Sequence, residues 1–201
     1  RTPSMQISAK LILASQSPRR RALLDQLDMS YTVRVSPADE RVEKGLAAED
    51  VVRRLAHRKA TPVAAEHPTA LTLAADTVVA YEGEILNKPR DEDHAAEMLR
   101  RLSGTTHRVY TGIALVHPAS DREAIGYETT HVRLADLTDE EIDRYVATGS
   151  PMDKAGGYGI QDHTAPVFVE GIDGDYYNVV GLPLRRFYRL LRASFDDLLL
   201  F

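Results

Sequence analysis

Apolar residues recur along this chain at two different spacings, and the alternation between them predicts interleaved strands and helices. Residues 11–15 are a short apolar run that reads as a buried strand. Ser17-Pro18 follows as a helix start, a capping serine and then a proline whose missing N–H costs nothing at the first helical position. That helix is expected to turn Ala22, Leu23 and Leu27 inward. Residues 31–36 alternate as a second strand, and residues 48–65 carry Val51, Val52, Leu55 and Ala56 at helical spacing, with Pro62 expected to end or bend the helix. Residues 71–86, rich in Val and Thr, read as a long strand or hairpin bending near Glu82-Gly83. Residues 91–102 predict a helix closed by Ser103-Gly104, and residues 109–116 and 125–134 a strand pair around residues 118–122. Thr138-Asp139-Glu140-Glu141 is a capping box opening a helix to about Thr148. Beyond a glycine-rich stretch at 156–161, residues 167–170 and 176–180 read as a hairpin across 171–174, and residues 184–192 as a closing helix. With neither repeat nor linker, the pattern predicts an α/β fold, a mixed twisted sheet with flanking helices, in a single domain over 1–201 whose first ten residues are an added or flexible end.

Composition narrows the function more than the fold. A length of 201 residues suits one large domain or two lobes sharing a core, and 43% hydrophobic with 27% charged residues is ordinary for a globular chain. The net charge of -5 argues against a general nucleic-acid surface while leaving room for a local basic pocket. Without cysteine there is no disulfide, thiolate nucleophile or cysteine zinc site, and a cytoplasmic setting fits. No apolar run approaches the ~20 residues that span a membrane, residues 1–10 lack the long apolar segment of a signal peptide, and the short apolar tail at 197–201 is expected to pack or fray. The seven histidines show no metal-ligand spacing, and no Gly-x-Ser-x-Gly elbow is present.

Four segments carry candidate chemistry. Ser15-Gln16-Ser17-Pro18-Arg19-Arg20-Arg21 joins a strand to a helix, where free N–H groups, the positive end of the helix dipole, two hydroxyls and guanidiniums would cradle a phosphate. Read alone, it fits equally an ordinary serine cap followed by solvated arginines. In Ala74-Ala75-Asp76-Thr77-Val78-Val79 a carboxylate interrupts an apolar run, either to hold a metal or accept a proton, or as a structural partner of an arginine. Asn87-Lys88-Pro89 places a lysine before a fixed turn, which suits a phosphate or simply the surface; Lys59 has no special standing from its spacing. Residues 153–161 contain glycines that permit close backbone approach, and Gln161, whose amide both donates and accepts, suits a base edge; a tight connection needing positive φ explains the glycines as well.

Taken together and in order, Ser15-Gln16-Ser17-Pro18-Arg19-Arg20, Ala75-Asp76-Thr77, Lys88-Pro89, Leu102-Ser103-Gly104, Asp153-Lys154-Ala155-Gly156, Tyr158-Gly159-Ile160-Gln161 and Val180-Gly181-Leu182-Pro183-Leu184 resemble the Maf nucleotide pyrophosphatases from about Leu11 to Leu191. The resemblance implies a fold related to the inosine triphosphate pyrophosphatases with a deep cleft, dependence on a divalent metal cation (Mg²⁺ or Mn²⁺), and hydrolysis of a nucleoside triphosphate substrate to monophosphate and pyrophosphate. It implies Asp76 as catalytic carboxylate, Glu40 with Asp76 as metal ligands, and Ser15, Ser17, Arg20, Lys59 and Lys88 as phosphate-site residues. The Glu40 register is set against an adjacent Asp39. Arg19, Thr77 and Gln161 match positions tied to base choice and point to the branch acting on dTTP and UTP. CTP or 7-methyl-GTP as substrate, or a non-catalytic role in regulating septum formation, are the alternatives. No nucleic acid or membrane partner is expected, and a homodimer is compatible with the resemblance.

Overall fold

The computed structural model describes residues 6–41 and 45–200, so Arg1–Met5 of the expected flexible end and the last residue of the tail lie outside the described residues. Main-chain pairing orders the main strands β3-β2-β4-β6-β7-β8, with β5 on β4. Parallel β2/β3 and β2/β4 pairs and antiparallel β4/β5 and β7/β8 pairs make it a mixed sheet. Here β2 is Leu11–Leu13, β3 Tyr31–Val33, β4 Leu71–Tyr81, β5 Glu84–Leu86, β6 Thr106–His117, β7 Arg122–Leu134 and β8 Val169–Asp173. The fold is mixed α/β, and the chain divides into two compact units, residues 1–76, 111–128 and 181–201, and residues 77–110 and 129–180.

In the first unit, β2 pairs in parallel on both sides, with Leu13 beside Val33 and Leu73. The helix α1 (Pro18–Asp25) leaves β2 through a Ser17 cap whose hydroxyl accepts from the Arg20 amide at 3.5 Å. Its inward face is Leu23 and Leu24, with Arg20 and Leu27 half-buried, whereas Ala22 is exposed, against expectation. Positions 20, 23, 24 and 27 share one helical face, and bonding of the Arg20 side chain turns that face inward. The helix α2 (Ala48–Glu66) continues past Pro62 instead of ending there. Val63 and Ala64, buried beyond the proline, hold the last turn on the core. That core is built from small side chains, Ala14, Ala56, Ala60, Ala74 and Ala114 among them, so α2 lies close on the sheet. At Gly112 on β6, an added Cβ would stand 2.1 Å from the Val52 carbonyl oxygen of α2, a backbone contact that only glycine permits. The strands β1 (Gln6–Ile7) and β9 (Leu199–Leu200) pair antiparallel, so the tail packs.

In the second unit, β4 turns into β5 through Glu82 (φ 50°) and Gly83 (φ 80°), a two-residue turn of the kind that matches strand twist. Asp91 caps α3 (Glu92–Leu102), and Thr138 with Glu141 completes the capping box of α4 (Asp139–Val146). Val79, Leu86, Leu99, Leu102, Val109, Leu134, Tyr145 and Phe168 form the core between these elements. After the short α5 (Ala165–Phe168), β8 pairs with β7, but the expected second arm of a hairpin is helical: α6 is Tyr176–Val180. The Asp175 carboxylate accepts from the Tyr177 amide at 2.8 Å and starts that turn. Buried Asn178 then donates to the Val109 carbonyl at 3.0 Å and Thr130 Oγ1 at 2.9 Å, pairings a strand in that position would forgo. The closing helix α7 is Leu184–Ser194. Among the described residues no helix is long and apolar enough to cross a membrane.

Candidate active site

The parallel register that pairs Leu13 with Leu73 carries Ser15, beyond the end of β2, alongside Ala75, one residue before Asp76 in β4. Both side chains are buried, in a part of an α/β sheet where ligands are commonly received, the carboxyl ends of parallel strands. The Ser15 hydroxyl oxygen accepts from the Ser17 amide and from Arg20 Nη1, each at 3.2 Å. With both lone pairs engaged, its O–H is left as a donor. Arg20 Nε donates to the Gly181 carbonyl at 2.8 Å, so its guanidinium is clamped at two points. Burial pulls the Arg20 pKa below the ordinary arginine value, while the carboxylates of Asp76 and Glu40 pull it back up.

Lys59 reaches the same cluster from α2. Its stem is buried and its Nζ stands 2.5 Å from Asp76 Oδ1 and 2.8 Å from Glu40 Oε1. Glu40, and not its neighbour, is the acidic residue of this cluster: Asp39 pairs with Arg41 at 3.3 Å. One ammonium thus ties an exposed carboxylate to a buried one, with a clamped guanidinium close enough to feel both. Among the described residues no group of three or more His, Asp or Glu is disposed to hold a metal. Two carboxylates converging from separate segments still suit a hard cation of the Mg²⁺ type, which takes one or two protein carboxylates and completes its shell with water and substrate phosphate.

The remaining sequence-predicted residues stand as follows. Ser17 is the half-buried cap of α1, and Arg19 is half-buried one position before Arg20. Thr77 follows Asp76 in β4, so its side chain faces the other side of the strand. Thr77, Lys88 and Gln161 belong to the second unit, Thr77 half-buried and the other two exposed. What sequence reasoning missed is how the loop bearing Gln161 is held. Asp162 Oδ2 accepts from Tyr145 Oη and Ser150 Oγ, both at 2.6 Å, and the Gly159 amide donates to Tyr145 Oη at 3.1 Å. Lys154 Nζ donates to the Ser150 carbonyl at 2.6 Å and to Asp153 at 2.8 Å. Burial, with Asp162 beside it, raises the pKa of the Tyr145 hydroxyl, which therefore stays a donor. Gly156 (φ 71°) packs against Val79, where a Cβ would meet a methyl at 2.9 Å. Asp153, Lys154, Gly159 and Gly181 stand in motifs of the family resemblance, but nothing in the sequence singled out Asp162, Tyr145 or Ser150, or the bond from Arg20 to the Gly181 carbonyl.

The family described as Maf-like protein matches residues 10–194. The dTTP/UTP pyrophosphatase of Salinibacter ruber is 67% identical over 197 residues, which cover 98% of this chain and 97% of that protein. The dTTP/UTP pyrophosphatase of a Geobacillus species is 49% identical over 180 residues, covering 90% and 95%. Among solved structures, the Ham1 protein of Staphylococcus aureus gives a TM-score of 0.45 at 15% identity over 63% of this chain and 72% of that one, a likeness too distant to extend the assignment.

Proposed function

Because the chain belongs to the Maf-like protein family, we propose that it hydrolyses dTTP and UTP to the nucleoside monophosphate and pyrophosphate. The reading is supported by 67% identity, over nearly the full length of both chains, to a protein named for that activity. The observation within this chain that carries it is the convergence of Glu40 and Asp76 on Lys59, next to an Arg20 clamped by Ser15 and Gly181. Carboxylates for a metal and a water, set beside cations for phosphates, are what triphosphate cleavage requires and what simple phosphate capture does not.

In the proposed reaction a water oxygen bonds to the α-phosphorus, the bond from that phosphorus to the bridging oxygen of the β-phosphate breaks, and pyrophosphate leaves. Asp76 receives the water's proton. Glu40 and Asp76 would hold a divalent cation, Mg²⁺ or Mn²⁺, which would supply a lowered water pKa and offset phosphate charge. Arg20 and the O–H of Ser15, both already oriented by the protein, bind phosphate oxygens without reorganising. Ser17, Lys59 and Lys88 are assigned to phosphate, and Arg19, Thr77 and Gln161 to base choice, on the family resemblance. A cytoplasmic protein acting without nucleic acid completes the proposal. The test is incubation of the purified chain with dTTP, UTP, CTP, 7-methyl-GTP and the purine triphosphates, with and without Mg²⁺ or Mn²⁺, and identification of products. Metal-dependent monophosphate and pyrophosphate from dTTP and UTP is the expected result; a diphosphate with orthophosphate, or no turnover of any nucleotide, overturns it.

A further inference from the structure

Resting on that reading, we infer that Lys59 is an exchangeable counter-ion that keeps the metal ligands closed until nucleotide arrives. Arg20 and Lys59 are held in different ways. Besides the attraction of Asp76 and Glu40, the Arg20 guanidinium is anchored to the protein by its bonds to the Gly181 carbonyl and the Ser15 hydroxyl. Lys59 Nζ is held by Glu40 and Asp76, the carboxylates a metal would need, at 2.8 and 2.5 Å. An ammonium on a flexible four-carbon stem exchanges one anionic partner for another readily, as a clamped guanidinium does not. With Lys59 in place, its ammonium occupies one oxygen of each carboxylate, Glu40 Oε1 and Asp76 Oδ1. When a triphosphate brings its own charge, Lys59 has a competing partner, and a divalent cation neutralises both carboxylates in its place. Metal and nucleotide then bind cooperatively, each weakly alone, because both draw on the same ammonium.

Lys59→Met and Lys59→Gln keep the stem and remove the charge, whereas Lys59→Arg keeps it. Titration of the folded chains with Mn²⁺ alone, without nucleotide, is expected to show both uncharged variants binding about tenfold tighter or more than wild type, with Lys59→Arg remaining weak. Unfolding provides the second readout. Without metal, the uncharged variants should melt below wild type, because Glu40 and Asp76 repel; Mn²⁺ should raise their midpoints well above the rise it gives wild type. Mn²⁺ binding in Lys59→Met and Lys59→Gln that is equal to or weaker than wild type, or midpoints that respond to Mn²⁺ no more than wild type, overturns the inference. None of these readouts depends on turnover. A chain that exchanges Lys59 for Mn²⁺ yet cleaves no triphosphate refutes the pyrophosphatase reading alone, and an active enzyme with unchanged Mn²⁺ binding refutes this one alone.

Discussion

Arg20 Nε donates to the main-chain carbonyl of Gly181 at 2.8 Å, joining the first turn of α1 to the segment that enters α7. The guanidinium proposed to bind phosphate is therefore aimed by a glycine whose φ of 124° no L side chain adopts comfortably. Arg20→Ala removes the cation, and Gly181→Ala turns its anchor. Both are expected to raise KM for every triphosphate, Arg20→Ala by about 10- to 100-fold, the range of a lost charge-assisted hydrogen bond, and Gly181→Ala by less. Steady-state kinetics on dTTP, UTP and CTP check this, and loss confined to one base would move Arg20 to base recognition.

Asp76→Asn keeps the shape of the buried side chain and removes its charge and basicity. Turnover should fall by about 10²-fold or more while the chain stays folded, with Lys59 still paired to Glu40. Near-normal kcat in a variant with an unchanged circular dichroism spectrum would take the proton-accepting role away from Asp76.

The elements and the site were legible in the sequence to different depths. Strands and helices bounded by local chemistry stood out, because the Ser17-Pro18 start, the Thr138–Glu141 capping box and the Glu82-Gly83 turn act within a few residues. The helix α6 was misread as a strand because its deciding bonds, Asn178 to Val109 and Thr130, reach 69 and 48 positions along the chain. Of the two outcomes expected at Pro62, an end or a bend, the end does not occur, because the burial of Val63 and Ala64 outweighs a local preference. The Lys59 side chain had no standing by spacing, and its part in the cluster comes from where α2 lies on the sheet, a distance fixed by Gly112 and the surrounding alanines.

Gly112 sets that distance through backbone, not through a side chain that can move aside. An added Cβ would stand 2.1 Å from the Val52 carbonyl oxygen and 2.8 Å from the Arg53 amide nitrogen. Gly112→Ala must push α2 away, and with it Lys59. A loss of about 3 kcal/mol or more in urea unfolding is expected, the upper part of the range for overpacking. A loss below about 1 kcal/mol would mean that the helix yields cheaply.

His107 supplies a pH dependence. Its ring is 1% exposed, Nε2 lies 2.7 Å from the Tyr158 hydroxyl, and burial lowers its pKa to about 4. Between pH 6.5 and about 4 the unfolded chain binds a proton at this residue and the folded chain does not, so stability falls on acidification through that window. The contribution is at most about 3 kcal/mol. His107→Phe loses the Tyr158 bond and is less stable at neutral pH, but its unfolding free energy should fall less steeply between pH 6.5 and 4. Parallel curves for the two proteins would show that His107 does not carry the dependence.

Gln161 offers the sharpest test of base choice. It is exposed, and its neighbours are fixed: Asp162 is bonded to Tyr145 and Ser150, and Gly159 to Tyr145. Exchanging the amide for a carboxylate there changes the chemistry at the tip without releasing the loop. Uracil and thymine present an N3–H donor between two carbonyl acceptors, so the Gln161 amide can accept from the first and donate to one of the others. Gln161→Glu loses the donor and brings a negative charge toward carbonyl oxygens, which should cost dTTP and UTP about 1–3 kcal/mol each in kcat/KM. A guanine edge offers N1–H and an amino group, both donors, and a carboxylate accepts from both. The ratio of 7-methyl-GTP to dTTP activity should therefore rise in the variant. Measuring kcat/KM for both nucleotides in wild type and Gln161→Glu decides it: an unchanged ratio means that Gln161 does not read the base and that pyrimidine choice lies with Arg19, Thr77 or groups beyond them.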